Sequence, residues 1–115
     1  MLAAALASAA CDNMAKAERL KLIGGWAPAG TACDSAGGVV YDKEGAWAGY
    51  DVSGRWRLDG HRLTTWVTEI GGYDKPARKV EKAKPAASTV VSMSQTDLVL
   101  KLEDGSARSL KRCRN

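Results

Sequence analysis

The side chains best able to do chemistry here are Cys11, Cys33, Cys113, His61, and the rings of four Trp and three Tyr. A structural zinc site needs four Cys or His ligands, usually with two close in sequence. One histidine and three widely spaced cysteines do not supply that, so no metal site is expected. His61 directly follows a turn signal, Asp59-Gly60, and is expected to lie in solvent rather than act as the buried, oriented base of a Ser-His-Asp arrangement. Asp42 and Glu44 belong to a turn. Gly37-Gly38 lacks the Lys-Ser/Thr that a phosphate-cradling loop requires. The sequence is therefore read as non-enzymatic, with no cofactor.

The cysteines point elsewhere. Residues 1–10, MLAAALASAA, are small, apolar and uncharged, and too short to span a bilayer. They resemble the end of a signal peptide, whose charged start is expected upstream of Met1. Two processing sites remain open. Signal peptidase I could use Ala7-Ser8-Ala9 or Ser8-Ala9-Ala10. Ser8-Ala9-Ala10-Cys11 resembles a bacterial lipobox, with Ser8 where that pattern prefers Leu, and implies lipidation of Cys11 and a membrane anchor in the periplasm. An odd cysteine count in an exported chain leaves one over. With Cys11 acylated, Cys33 and Cys113 remain as a disulfide pair suited to an oxidising compartment. Such a link closes a loop of about 80 residues and stabilises by roughly 4 kcal/mol at most.

A chain of 115 residues makes one small domain, here expected over 22–115 after a tether and short helix at 11–21. Asn13 is positioned to cap that helix, which runs to about Lys21. Without Phe, the large apolar anchors are Trp26, Trp47, Trp56 and Trp66, with Tyr41, Tyr50 and Tyr73. The net charge of +4 is uneven, with ten basic against five acidic residues from Tyr73 onward. No nucleic-acid motif accompanies that charge, so it is read as a solvated face rather than a nucleic-acid surface.

The elements that must position these groups are strands. Short runs bounded by turn chemistry predict them near 22–27, 37–42, 45–51, 54–59, 61–69, 77–83, 88–94, 97–103 and 106–112. Asp42-Lys43-Glu44-Gly45 predicts a type I turn ending in a left-handed Gly. Asp59-Gly60 and Asp104-Gly105 predict two-residue type I′ hairpins. The first sets Leu58 opposite His61 and Trp56 opposite Leu63, so that Trp56, Leu58, Leu63 and Val67 share one face. Arg57, Arg62 and Thr64 then share the wet face. Leu98, Leu100 and Leu102 alternate with Val99, Lys101 and Glu103, the period of a half-buried strand. Between Ile70 and Ala87 a connection rich in Gly, Pro and Lys is a candidate mouth or binding loop. The architecture expected is all-β, a small antiparallel up-and-down barrel of about eight strands.

Gly24-Gly25-Trp26, a Gly-x-Trp after a short helix, resembles the lipocalin and calycin signature. Gly54-Arg55-Trp56-Arg57-Leu58 with Asp59-Gly60-His61-Arg62-Leu63 resembles the hairpin of small exported lipocalin-like barrels. The resemblance covers about Leu20 to Arg114 and implies that Trp26 plugs one barrel end. It also implies an Arg stacked on that Trp, with Arg108 and Arg112 both open. The chain is shorter than family lipocalins, which leaves a hollow interior open to question.

Two functions follow as expectations. One is a binding module for a small apolar or amphipathic ligand, lined by Trp47, Tyr50, Trp56 and Trp66. The other is a protein-interaction barrel, such as a protease inhibitor or envelope-complex subunit, acting through its N-terminal segment or the 71–87 loop. A cavity of about 300 Å³ or more favours the first.

Overall fold

Alternation of apolar and polar side chains drives most of this chain into strands, because one face of each strand leaves water and the other stays in it. In a computed structural model, which describes residues 17–33, 37–72 and 74–113, a short helix α1 of residues 17–22 precedes nine strands. These are β1 (Gly24–Pro28), β2 (Val39–Tyr41), β3 (Ala46–Gly49), β4 (Val52–Asp59), β5 (Arg62–Ile70), β6 (Arg78–Lys79), β7 (Pro85–Met93), β8 (Asp97–Leu102) and β9 (Ala107–Arg112). All pairings are antiparallel. The order β4-β3-β2-β1-β9-β8-β7-β5 returns on itself through β4–β5, so eight strands close into an up-and-down barrel. The two-residue β6 extends the free edge of β5 at Glu69 and Ile70, beyond the stretch that pairs with β7.

The expected architecture therefore forms, with local differences. Leu22 ends the helix instead of opening a strand. The 77–83 strand shrinks to Arg78–Lys79, and β7 begins at Pro85, where Pro85 to Ala87 pair with Trp66 to Thr64. The Asp59-Gly60 loop is displaced by one residue. Asp59 pairs with Arg62, so Gly60 and His61 form the turn, and Gly60 has φ 59°. A left-handed Gly at the first loop position is the type II′ pattern rather than type I′. Leu58 consequently faces Leu63, and Trp56 faces Thr65. Each partner moves by two residues, which preserves the faces: Trp56, Leu58, Leu63 and Val67 still point inward. Thr64 keeps the outer face it shares with Arg62 but is covered there rather than wet. Set between Arg57 and Ala87 in the ladder, it is only 7% exposed.

Gly45 has φ 87° and closes the Asp42 turn as expected, with Asp42 Oδ1 accepting from the Glu44 and Ala46 amides. The Asp104-Gly105 connection adopts the same three-residue form, since the Leu102 amide donates to Ser106 O and the Gly105 amide to Leu102 O. A type I turn followed by a left-handed Gly is the usual three-residue hairpin.

Leu22, Trp26, Tyr41, Trp56, Leu63, Val90, Leu98, Leu100 and Leu110 form the buried cluster. Strand directions place α1 and the turns at 42–45, 60–61 and 94–96 at one barrel end. The connections after β1, β3, β5 and β8 stand at the other. Cys33 and Cys113 form a disulfide with Cα atoms 5.7 Å apart. The Cys113 amide also donates to Gly25 O at 2.8 Å, so the link fastens the exit of β9 where first and last strands pair. Cys11, the expected helix cap Asn13, and Tyr73 lie outside the described residues.

Candidate functional site

The two barrel ends are built differently, and the difference begins on β9. Alternation and pairing turn Arg108, Leu110 and Arg112 inward, opposite Leu100, Leu98 and Trp26 respectively. Arg112 serves the end beside α1. Its guanidinium lies 4.2 Å from the Trp26 ring centroid and donates to the carbonyls of Ile23, Gln95 and Lys21. Gly24 makes room for it, because a Cβ there would fall 2.6 Å from Arg112 Nη1. The Trp26 indole donates to Leu22 O at 2.9 Å, tying the helix to the barrel floor. Of the two arginines left open by the sequence, Arg112 stacks on Trp26.

A second cation completes this closed end. Arg19 of α1 stands 4.7 Å from the Trp56 ring centroid and donates to Lys43 O at 3.0 Å. Trp56 meets Tyr41 edge-on at 5.6 Å and donates to Asp42 O. These contacts make the closed end a packed core.

The other end is hollow. A cavity of about 360 Å³ opens there, walled by Tyr41, Trp47, Leu63, Leu100 and Leu110, with Arg108 among its polar groups. Gly37 to Val39, with Gly49, Tyr50 and Val52, frame its mouth. Tyr41 is 5% exposed. Burial pushes its hydroxyl's pKa up to about 12, against the opposing pull of the nearby Arg108 charge. The phenol is thus a neutral donor at ordinary pH. Arg108 has no carboxylate partner among the described residues. A wider trough of about 590 Å³ on the outer face of β5, β7 and β8 is lined by Arg62, Thr89, Lys101 and Glu103 together with Pro85, Ala87 and Leu102, and is open to water.

The four aromatic residues expected to line a site are divided by the fold. Trp47 and Tyr50 border the cavity. Trp56 is instead buried beneath it, 4% exposed, in the packing with Tyr41 and Arg19. Trp66 points outward, on the opposite face of β5 from Leu63 and Thr65, with Arg57 5.9 Å from its ring centroid. Leu63 and Trp66 differ by an odd number of positions, which reverses the face in a strand. Of the described residues in the expected 71–87 loop, only Ala86, which lies in β7, borders the cavity.

Arg108, Tyr41, Leu100 and Leu110 were not among the expected site residues. Their signal was period-two alternation, which carries Arg108 inward once Leu110 is placed in the core. His61 is exposed on its turn, beside a small depression formed with Glu18, Lys21 and Val90 to Met93. Among the described residues no cluster of His, Cys, Asp and Glu could hold a metal, and no helix is long and apolar enough to cross a membrane. Comparison with protein-family models, curated proteins and solved structures finds no match for this chain.

Proposed function

We propose that this protein is an exported, lipid-anchored barrel of lipocalin-like type that takes a small apolar or amphipathic ligand into its open end. The observation that carries the ligand reading is the 360 Å³ cavity with aromatic and leucine walls. Its volume falls within the about 300–1,000 Å³ typical of small-molecule sites. The lipocalin-like reading is supported by the Gly24-Gly25-Trp26 run with Arg112 stacked on Trp26. Export is supported by the apolar run before Cys11 and the disulfide that leaves Cys11 as the unmatched cysteine. Its role is binding, not catalysis.

Titration with the neutral fluorophore N-phenyl-1-naphthylamine tests the cavity. One saturable site per chain is expected, and Ser88→Phe, which fills the wall, should abolish it while thermal unfolding remains cooperative. Fluorescence that never saturates, or that Ser88→Phe leaves intact, would count against the site. Anchoring is tested by intact mass spectrometry after expression with the complete upstream signal in a Gram-negative host. Diacylglyceryl mass on Cys11 is expected, and an unprocessed chain would refute it.

A further inference from the structure

We infer that the outer wall of the barrel is a second binding surface, separate from the cavity, and that it takes an acidic oligosaccharide. Trp66, which the fold turns away from the cavity, belongs to this wall. Ladder partners share a face. Arg55, Trp66 and Pro85 therefore form one outward row across β4, β5 and β7. Asp59, Arg62, Thr89 and Lys101 form a second, which continues onto β8. Arg57, opposite Thr64, lies between the two rows.

Four exposed cations thus share the wall with Trp66. Its carboxylates compensate them only in part, because Asp59 is held by Arg57 and Glu103 accepts from the Ala87 amide. Arg62 and Lys101 belong to neither ion pair found among the described residues. They stand on either side of Thr89, two strand spacings or about 10 Å apart. The trough of about 590 Å³ follows β7 between them, floored by the small side chains of Ala87 and Ser88. From Pro85 to Thr89 it runs about 14 Å, the length of a short oligosaccharide rather than of a single ring.

Each group restricts what can lie there. Arg62 and Lys101 call for a charged acceptor, and the Glu103 carboxylate for donors. The outward indole calls for the flat apolar face of a ring. A uronic-acid sugar carries all three: a carboxylate, hydroxyls and a C–H face. A nucleic-acid strand stacks successive bases on several aromatics, and among the described residues this wall offers one. A polyglutamate peptide brings charge but no ring for Trp66.

Tetragalacturonate, uncharged cellotetraose, tetraglutamate and pentathymidylate, each titrated into the ¹⁵N-labelled whole chain, separate these occupants. Tetragalacturonate should shift the Trp66 indole and Lys101 amide resonances saturably. Raising salt from about 50 to about 500 mM should weaken it about tenfold, since exposed charges are screened. Cellotetraose should bind more weakly, and tetraglutamate and pentathymidylate more weakly than tetragalacturonate. Arg62→Gln with Lys101→Gln should bring tetragalacturonate to the level of cellotetraose. Trp66→Ala should weaken both sugars about tenfold, the usual loss when a central aromatic anchor is truncated. The charge variant changes exposed side chains alone, so it carries the test by itself if Trp66→Ala fails to unfold cooperatively. The proposal is overturned by the absence of saturable shifts, by a preference for tetragalacturonate that survives the charge variant, or by equal binding of any of the other three. Fluorophore binding in the cavity is measured apart and stands or falls independently.

Discussion

Arg112 and Trp26 meet as cation over ring, 4.2 Å apart, at the floor of the barrel where the last strand pairs with the first. The guanidinium also donates to carbonyls of the residues that join α1 to β1 and of the turn before β8. One side chain thereby holds helix, first strand and a distant turn together. Replacing it with Ala should reduce unfolding free energy by about 2–4 kcal/mol, combining lost cation–π contact with carbonyls left unmatched. Trp26→Ala should lose about 3–5 kcal/mol. Urea denaturation of both singles and the double variant should show non-additivity, since the residues touch. Strict additivity would mean that the stacking contributes little.

The Cys33–Cys113 disulfide spans a sequence separation of 80 residues. Chain-entropy reasoning gives such a closure a contribution of about 4 kcal/mol. Cys33→Ser with Cys113→Ser, or reduction of the native protein, should shift the guanidinium midpoint downward by most of that amount. A shift equivalent to less than about 1 kcal/mol would show that the unfolded chain is already compact around this loop.

Gly54 lies between Trp47 and Val67 in the ladder, and Trp47 reaches across it to donate to Trp66 O at 3.1 Å. A Cβ at position 54 would stand 1.7 Å from that same oxygen. Gly54→Ala should therefore destabilise by about 3 kcal/mol or more, since backbone rather than a flexible side chain must move. Gly60→Ala, by contrast, meets nothing within 4 Å and only strains φ, so a loss of about 1 kcal/mol is expected. Thermal unfolding ranks the two, and an equal loss would contradict the clash argument.

Two groups set opposite ends of the pH profile. The Tyr41 pKa rises from 10.0 to about 12 on folding, mainly through burial. The folded state thus holds this proton more tightly, and its contribution is intact below pH 10 and declines as pH rises toward 12. The decline should total about 3 kcal/mol and be absent in Tyr41→Phe. At the acid end, hydrogen bonds from Lys111 and Thr96 hold the Asp97 carboxyl below its usual 3.8. Its contribution is present above that value and is lost as pH falls through the lowered one. Asp97→Asn should flatten the acid limb of midpoint against pH; an unchanged limb would remove Asp97 from the account.

Period-two alternation was enough to read the strand class, most strand positions, and the inward face of the β4–β5 hairpin. Faces depend only on parity, so they survived a displaced turn. Turn residues placed the left-handed glycines but not the loop lengths, because Asp-Gly is compatible with more than one hairpin and the ladder closes whichever pairs best. The odd cysteine count, with Cys11 read as the lipidated residue, left Cys33 and Cys113 as the expected pair, and the structure joins them.

The candidate site was less legible. Residue type suggested aromatics, yet Trp66 points to the outer face and Trp56 is sealed beneath Tyr41 and Arg19, while Trp47 reaches the cavity. The barrel determines this by how its two ends are filled. Local sequence shows that Arg108 and Arg112 share a face, since both sit at even spacing on one strand. Only the closed sheet decides that Arg112 lies over Trp26 with its donors occupied, whereas Arg108 faces open volume. That outcome depends on β1 and β9 meeting across nearly the whole chain, a long-range pairing that no local pattern encodes.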